Sequence, residues 1–147
     1  MQNEVMFIKD NNVGIITLNR PDRLNALTYS MVEQISETLS LWETDKNISC
    51  VIIEGAGDRS FCAGGDVVKL RKEVLADGGP PTDLSRAFFY DEYTLNYKIS
   101  NYKKPFISLI NGYTMGGGVG VSMHGSHIVG SEKTLFAMPE TAIGLFP

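Results

Sequence analysis

Two glycine-rich stretches hold the residues whose types and spacing could do chemistry. "FCAGGD" runs from Phe61 to Asp66, and "TMGGGVGVSMHG" runs from Thr114 to Gly125. Glycine inside an element costs roughly 1 kcal/mol relative to alanine, so such runs need a reason. The first follows the strand-like run "CVIIEG", the second follows "PFISLING", and both precede helix-like segments. Glycines let a backbone come close to a ligand, and the start of a helix points free N–H groups outward. Two such turns side by side can aim two donors at one oxygen. That is an oxyanion hole, in which each donor stabilises a transition state by about 3 kcal/mol. The alternative is that the glycines only permit tight packing.

Other glycine-loop chemistries fail on detail. A dinucleotide fingerprint starting at Gly116 needs glycine or alanine at position 121, which is Val121. No Gly-Lys-Ser/Thr follows, so the stretch is no phosphate-binding P-loop. A hydrolase elbow needs Gly-x-Ser-x-Gly, but the chain reads Gly120-Val121-Ser122-Met123-His124.

A carboxylate also stands out. Phe88, Glu92, Leu95, Ile99 and Tyr102 recur at spacings of 4, 3, 4 and 3, which puts Glu92 on the apolar face of a helix. A carboxylate there is costly without a partner, so Glu92 either serves a ligand or pairs with a backbone donor or cation. His124 and His127 lie three apart at the end of a short helix with no third ligand in view, and a structural role is expected for both. Cys50 and Cys62 fit no metal spacing and read as reduced thiols. No metal site is expected.

The elements that must position these groups alternate between strand and helix. "EVMFIKD" and "VGIITLN", separated by Asp10-Asn11-Asn12, predict a hairpin. Pro21 breaks the next loop, and Thr28 or Ser30 can cap a helix with Val32, Ile35, Leu39 and Trp42 on one face. "CVIIEG" and "KPFISLING" predict strands buried on both faces. Asp66 is placed to cap a helix, "ADGGPPTD" reads as a flexible loop, and a second long helix runs roughly from Leu84 to Tyr102. "SHIVGSEKTLFAMPE" supplies two more short strands. No internal repeat is visible. The pattern predicts an α/β fold with layers of sheet and helix.

Composition sets broad limits. The 147 residues are 43% hydrophobic and 20% charged, ordinary values for a globular domain with its own core. A net charge of -4 gives no basic surface for nucleic acid, so no nucleic-acid partner is expected. No run of about 18 apolar residues occurs, so no membrane partner is expected. The N-terminus has neither a secretory nor a transit pattern, which makes the cytosol the default compartment, or the mitochondrial matrix if a presequence has been removed. "ETAIGLFP" ends in an apolar run, and we expect the natural protein to continue.

"FCAGGD", "KPFISLINGYTMGGGVG" and "FAMPETAIGLFP" resemble the crotonase (enoyl-CoA hydratase/isomerase) superfamily, from about Val13 to the end of the chain. With "DEYTLN" and "MGGGVGVSMHG", the resemblance is nearest to a branch that hydrolyses CoA thioesters of branched 3-hydroxy acids, as in valine breakdown. The resemblance implies a ββα spiral, with residues 1–147 as the acyl-CoA-binding N-terminal portion and a C-terminal helical part beyond it. It implies an acyl-CoA substrate and no cofactor, CoA being part of the substrate. It leaves a homo-oligomer open, since relatives often form trimers.

The resemblance also assigns residues. The N–H groups of Gly65 and Gly117 would form the oxyanion hole, the Ala63 carbonyl would face the CoA adenine, and Arg59 would meet CoA phosphates. Lys69, Arg71 and Lys72 match less well and read as a solvated helix face. Hydratases of the superfamily carry two glutamates, the first at the position of Gly120, which has no side chain, and the second at Glu140. Hydrolases pair the latter with an aspartate eight residues on, at position 148, one beyond this sequence. Glu140 is therefore the main catalytic candidate, activating water or attacking the thioester carbon. Its other reading is a cap for the turn after Pro139. Glu92 would contact the acyl group. Two rival functions remain at this point, an enoyl-CoA hydratase or isomerase of the same superfamily, and a catalytically inactive acyl-CoA-binding fragment.

Overall fold

A computed structural model describes residues 3–76, 78 and 82–146. Half of the loop expected at "ADGGPPTD", Asp77 and 79–81, lies outside the described residues. The chain opens with β1 (Val5–Asp10) and β2 (Val13–Leu18), an antiparallel hairpin whose turn places Asn11 at φ 51°. A 3-10 turn, Pro21–Arg23, leads to α1 (Tyr29–Thr44). Thr28 is its cap, accepting from the Met31 N–H, and Met31, Val32, Ile35, Leu39 and Trp42 are its buried face. Then follow β3 (Cys50–Gly55), β4 (Ser60–Cys62), α2 (Val67–Ala76) and α3 (Asp83–Ser100). Thr82 caps α3 through a reciprocal pair of bonds with Ser85. The rest is β5 (Phe106–Ile110), β6 (Tyr113–Met115), α4 (Gly117–Met123), β7 (His127–Gly130), β8 (Leu135–Ala137) and a 3-10 turn, Glu140–Ile143.

The strands sort into two sheets. One has the order β1-β2-β3-β5-β7, the other β4-β6-β8. Beyond the hairpin every pairing is parallel. Each pair β3/β4, β5/β6 and β7/β8 thus gives one strand to each sheet before the chain turns into helix, and the unit repeats as a spiral. The sequence shows no such repeat because the units share topology, not side chains.

Neither β3 nor β5 is covered on both faces as their apolar runs predict. In register, Ile16 and Ile53 are buried beside the buried Ser108, while Ile15, Ile52 and Ile107 form a half-buried row. Side chains alternate faces along a strand, and only one face meets the core. That core joins Ile16, Leu18, Ile35, Leu39, Val51, Ile53, Phe61, Leu95, Ile99 and Phe106. Both sheets end on short strands with exposed apolar residues, Ile128 and Val129 on β7, Leu135 and Phe136 on β8. Among the described residues no helix is long and apolar enough to cross a membrane.

Candidate active site

The glycine turns follow β4 and β6 rather than the longer apolar strands before them. This difference explains their proximity. β4 and β6 are parallel neighbours, Ser60 beside Tyr113 and Cys62 beside Thr114, so their ends lie side by side. Gly64 (φ 109°) and Gly116 (φ 50°) take left-handed conformations that suit glycine. A Cβ on Gly64 would stand 3.3 Å from the Met115 carbonyl oxygen and 3.6 Å from the Gly117 nitrogen. The two turns touch, and side chains would hold them apart.

Two donors are left over. The Leu27 N–H donates to the Gly64 oxygen and the Asp66 N–H to the Leu27 oxygen, both at 2.8 Å, which clamps the residues on either side of the Gly65 N–H. The N–H groups of Gly65 and Gly117 find no acceptor among the described residues. They are close together, for a Cβ on Gly117 would lie 3.3 Å from the Gly65 nitrogen. Arg20 braces this corner from below. Its guanidinium reaches Asp66 Oδ2 at 2.8 Å, the Ala26 oxygen at 2.5 Å and Glu4 Oε1 at 3.2 Å, while Asp66 Oδ1 accepts from the Lys69 N–H to start α2.

Two carboxylates border the same glycines. Glu92 is 7% exposed on the inner face of α3, with its Oε1 against Gly117. It has no ion pair or hydrogen bond among the described residues, so the paired-carboxylate reading does not hold there. Burial, and then the charge of Glu140, push the Glu92 carboxyl up to about 7. Glu140 arrives from the turn after β8. β8 pairs with β6, Met115 beside Ala137, and the Gly116 N–H donates to the Ala137 oxygen at 3.2 Å. This returns the chain to the glycines, with Glu140 Oε1 2.8 Å from where a Cβ on Gly116 would stand. Glu140 does not cap its turn, and its Oε2 is buried with no partner among the described residues.

A model of the enoyl-CoA hydratase/isomerase family matches residues 13–147. The chain belongs to that family. It is 53% identical over 145 residues to a protein from Danio rerio named 3-hydroxyisobutyryl-CoA hydrolase, mitochondrial, covering 98% of this chain and 37% of that protein. The human protein of the same name is 49% identical over 144 residues, covering 98% and 36%. The chain thus spans little more than a third of the length of these curated relatives. Among solved structures, an enoyl-CoA hydratase from Rhodobacter sphaeroides superposes with a TM-score of 0.93 at 41% identity, covering 99% of this chain and 42% of that one. A carnitinyl-CoA dehydratase from Mycobacterium thermoresistibile gives 0.93 at 44% identity, with the same coverage.

For this member of the enoyl-CoA hydratase/isomerase family, the other expected site residues fall as follows. Ala63 precedes the first glycine turn. Its N–H donates to the Leu24 oxygen at 3.0 Å, and its own carbonyl accepts nothing among the described residues. Arg59 is exposed at the far end of β4, its carbonyl accepting from the Tyr113 N–H and its side chain without an ion pair among the described residues. Lys69, Arg71 and Lys72 are exposed on α2, as a solvated face should be. His124 and His127 are exposed, at the C-terminal end of α4 and the start of β7. Cys62 is buried beside the site, but burial pushes its thiol up to about 12, so it is no nucleophile.

Two residues at the site carry no motif. Arg20 meets its partner Asp66 across 46 positions, a contact that only the fold makes. Asn96 is 9% exposed on α3 and fills the space beside Gly120, where a Cβ would stand 2.8 Å from its Oδ1. Its signal was available, because Asn96 follows Glu92 by four residues and shares its buried face.

Proposed function

We propose that the protein hydrolyses the thioester of a 3-hydroxyacyl-CoA, namely 3-hydroxyisobutyryl-CoA to 3-hydroxyisobutyrate and CoA. The observation that carries this reading is the pair of unbonded N–H groups, Gly65 and Gly117, bordered by Glu92 and Glu140. Relatives about half identical over nearly the whole chain bear that activity in their names.

In the reaction, the thioester oxygen accepts from both N–H groups, which stabilise the charge it gains as the carbon becomes tetrahedral. Glu140 takes a proton from water, whose oxygen bonds to the carbon. The C–S bond then breaks and the CoA sulfur leaves with a proton. Alternatively the Glu140 carboxylate itself attacks, and water cleaves the resulting anhydride. A single turnover in 18O-labelled water separates the routes, since only the second puts label into Glu140 when the anhydride is cleaved at the glutamyl carbonyl. Glu92 contacts the acyl group, the Ala63 carbonyl accepts from the CoA adenine, and Arg59 pairs with CoA phosphate. No cofactor takes part, CoA being part of the substrate. The compartment is the mitochondrial matrix, a reading supported by the word mitochondrial in the names of the relatives.

A hydratase or isomerase is the second reading, favoured by the name of the solved structure from Rhodobacter sphaeroides. Against two-glutamate hydration, position 120 is glycine and its side-chain space holds Asn96. The test is thiol release from 3-hydroxyisobutyryl-CoA by the full-length gene product. Free CoA that disappears with Glu140→Gln supports the hydrolase. No thiol from a folded enzyme that instead hydrates or isomerises crotonyl-CoA overturns it.

A further inference from the structure

Among the described residues, the buried side-chain polar atoms without a partner are Asn96 Oδ1, Thr114 Oγ1 and Glu140 Oε2. They surround one stretch of chain. Thr114 lies two residues before Gly116, Glu140 lies against Gly116, and Asn96 lies against Gly120. An unpartnered buried polar atom costs about 1–3 kcal/mol, so native cores avoid them unless they serve a purpose. Glu140 has one in the proposed reaction. Asn96 so far has none.

Helix geometry gives Asn96 a place in the site. Glu92 and Asn96 are one turn apart on α3, and the glycines they touch, Gly117 and Gly120, are one turn apart on α4. The two helices cross at glycines, and two polar side chains occupy the space that this leaves. Residues four apart on a helix have Cβ atoms about 6 Å from each other, so one small group can meet both side chains. An acyl chain whose thioester oxygen sits at the Gly65 and Gly117 N–H groups starts beside Glu92, which lies against Gly117. Its 3-position lies two carbons from the thioester carbon.

We infer that Asn96 is a substrate-specificity residue, whose Oδ1 accepts a hydrogen bond from the 3-hydroxyl of the acyl group. The inference rests on the thioester reading above and deepens it. It explains why a carboxamide is kept where leucine would fill the same volume without an unpartnered oxygen. It also gives Gly120 a role, since any side chain there would push the carboxamide aside.

The test uses the full-length gene product with 3-hydroxyisobutyryl-CoA and isobutyryl-CoA, which differ only in the hydroxyl. Two variants remove the contact differently. Asn96→Leu deletes it at constant volume. Gly120→Ala leaves Asn96 chemically intact but displaces its amide, and the moving group is the end of a flexible side chain, so the fold tolerates it. In both, kcat/KM for the hydroxylated thioester relative to the plain one falls about tenfold or more, while the rate on isobutyryl-CoA changes less than about threefold. An unchanged ratio, or an equal fall for both substrates, overturns the assignment. If the wild type releases no thiol from either, the hydrolase reading fails, and calorimetric binding of the two thioesters decides for Asn96. A preference for the hydroxylated ligand that both variants lose upholds the assignment. Equal binding, or none, overturns it.

Discussion

The Glu92 carboxylate lies against Gly117, with its Cδ 3.4 Å from where a Cβ on that glycine would stand. One of the two free N–H groups and the buried acid therefore share a single residue's space. Any side chain at 117 forces the acid to move. Gly117→Ala should keep its fold, because the group displaced most is the end of a side chain and the Gly65 nitrogen, 3.3 Å from the new Cβ, need give little, but a misplacement of about 1 Å near the reacting atoms costs about 100-fold in rate. Circular dichroism and kcat/KM measured together check this, and a fully active Gly117→Ala would sink it.

Glu92 makes stability fall with rising pH. Its carboxyl titrates near 7 in the fold against an ordinary 4.5, first through burial and then through the charge of Glu140. Between those values the folded state holds more protons than the unfolded one, so stability declines across that window and the loss is complete above it. Glu92→Gln removes the effect. The variant should be more stable than wild type by about 3 kcal/mol at pH 8, with the advantage vanishing near pH 4.5. Urea unfolding at several pH values measures it, and a pH-independent difference contradicts it.

Glu140→Gln should lower the rate of thiol release by about 1,000-fold while leaving the Kd for the thioester within a few-fold. It also removes a negative charge near Glu92 and should move the Glu92 titration downward. Isotope-detected NMR of the Glu92 carboxyl reads this directly. An unmoved titration means the two acids do not interact.

Arg20 links the start of β1, the segment before α1 and the Gly65 turn through Glu4, Ala26 and Asp66. Its side chain is only 14% exposed, so Arg20→Met leaves carboxylates unpaired in a poorly solvated corner, a loss of about 3 kcal/mol. Arg20→Lys should restore little, since an ammonium cannot serve three acceptors in the same fork. Melting curves check both variants, and full rescue by lysine counts against the geometry.

Much of this site can be read from one sequence. Glu92 stands out by its period alone, since an acid on the apolar stripe of α3 breaks the pattern. The paired glycine turns suggest their purpose because each precedes a helix. Glu140 does not show itself this way. It sits in a 3-10 turn without periodicity, and only the resemblance singles it out before the β6–β8 pairing brings it to Gly116. β4 and β6 are three residues each, too short for a pattern to register, so although a strand at β8 is expected from its sequence, the second sheet as a unit is not legible there. Arg20 depends on a contact 46 residues away, which no local signal encodes.

The two outermost strands matter for handling the protein. β7 and β8 each present an open row of backbone donors and acceptors, and their apolar side chains are about half exposed, from 45% at Ile128 to 55% at Leu135. Such edges invite another chain to add a strand. A chain of these 147 residues produced alone should self-associate as its concentration rises. Lysine at Val129 and Phe136, which adds charge without touching the core, should keep it dispersed.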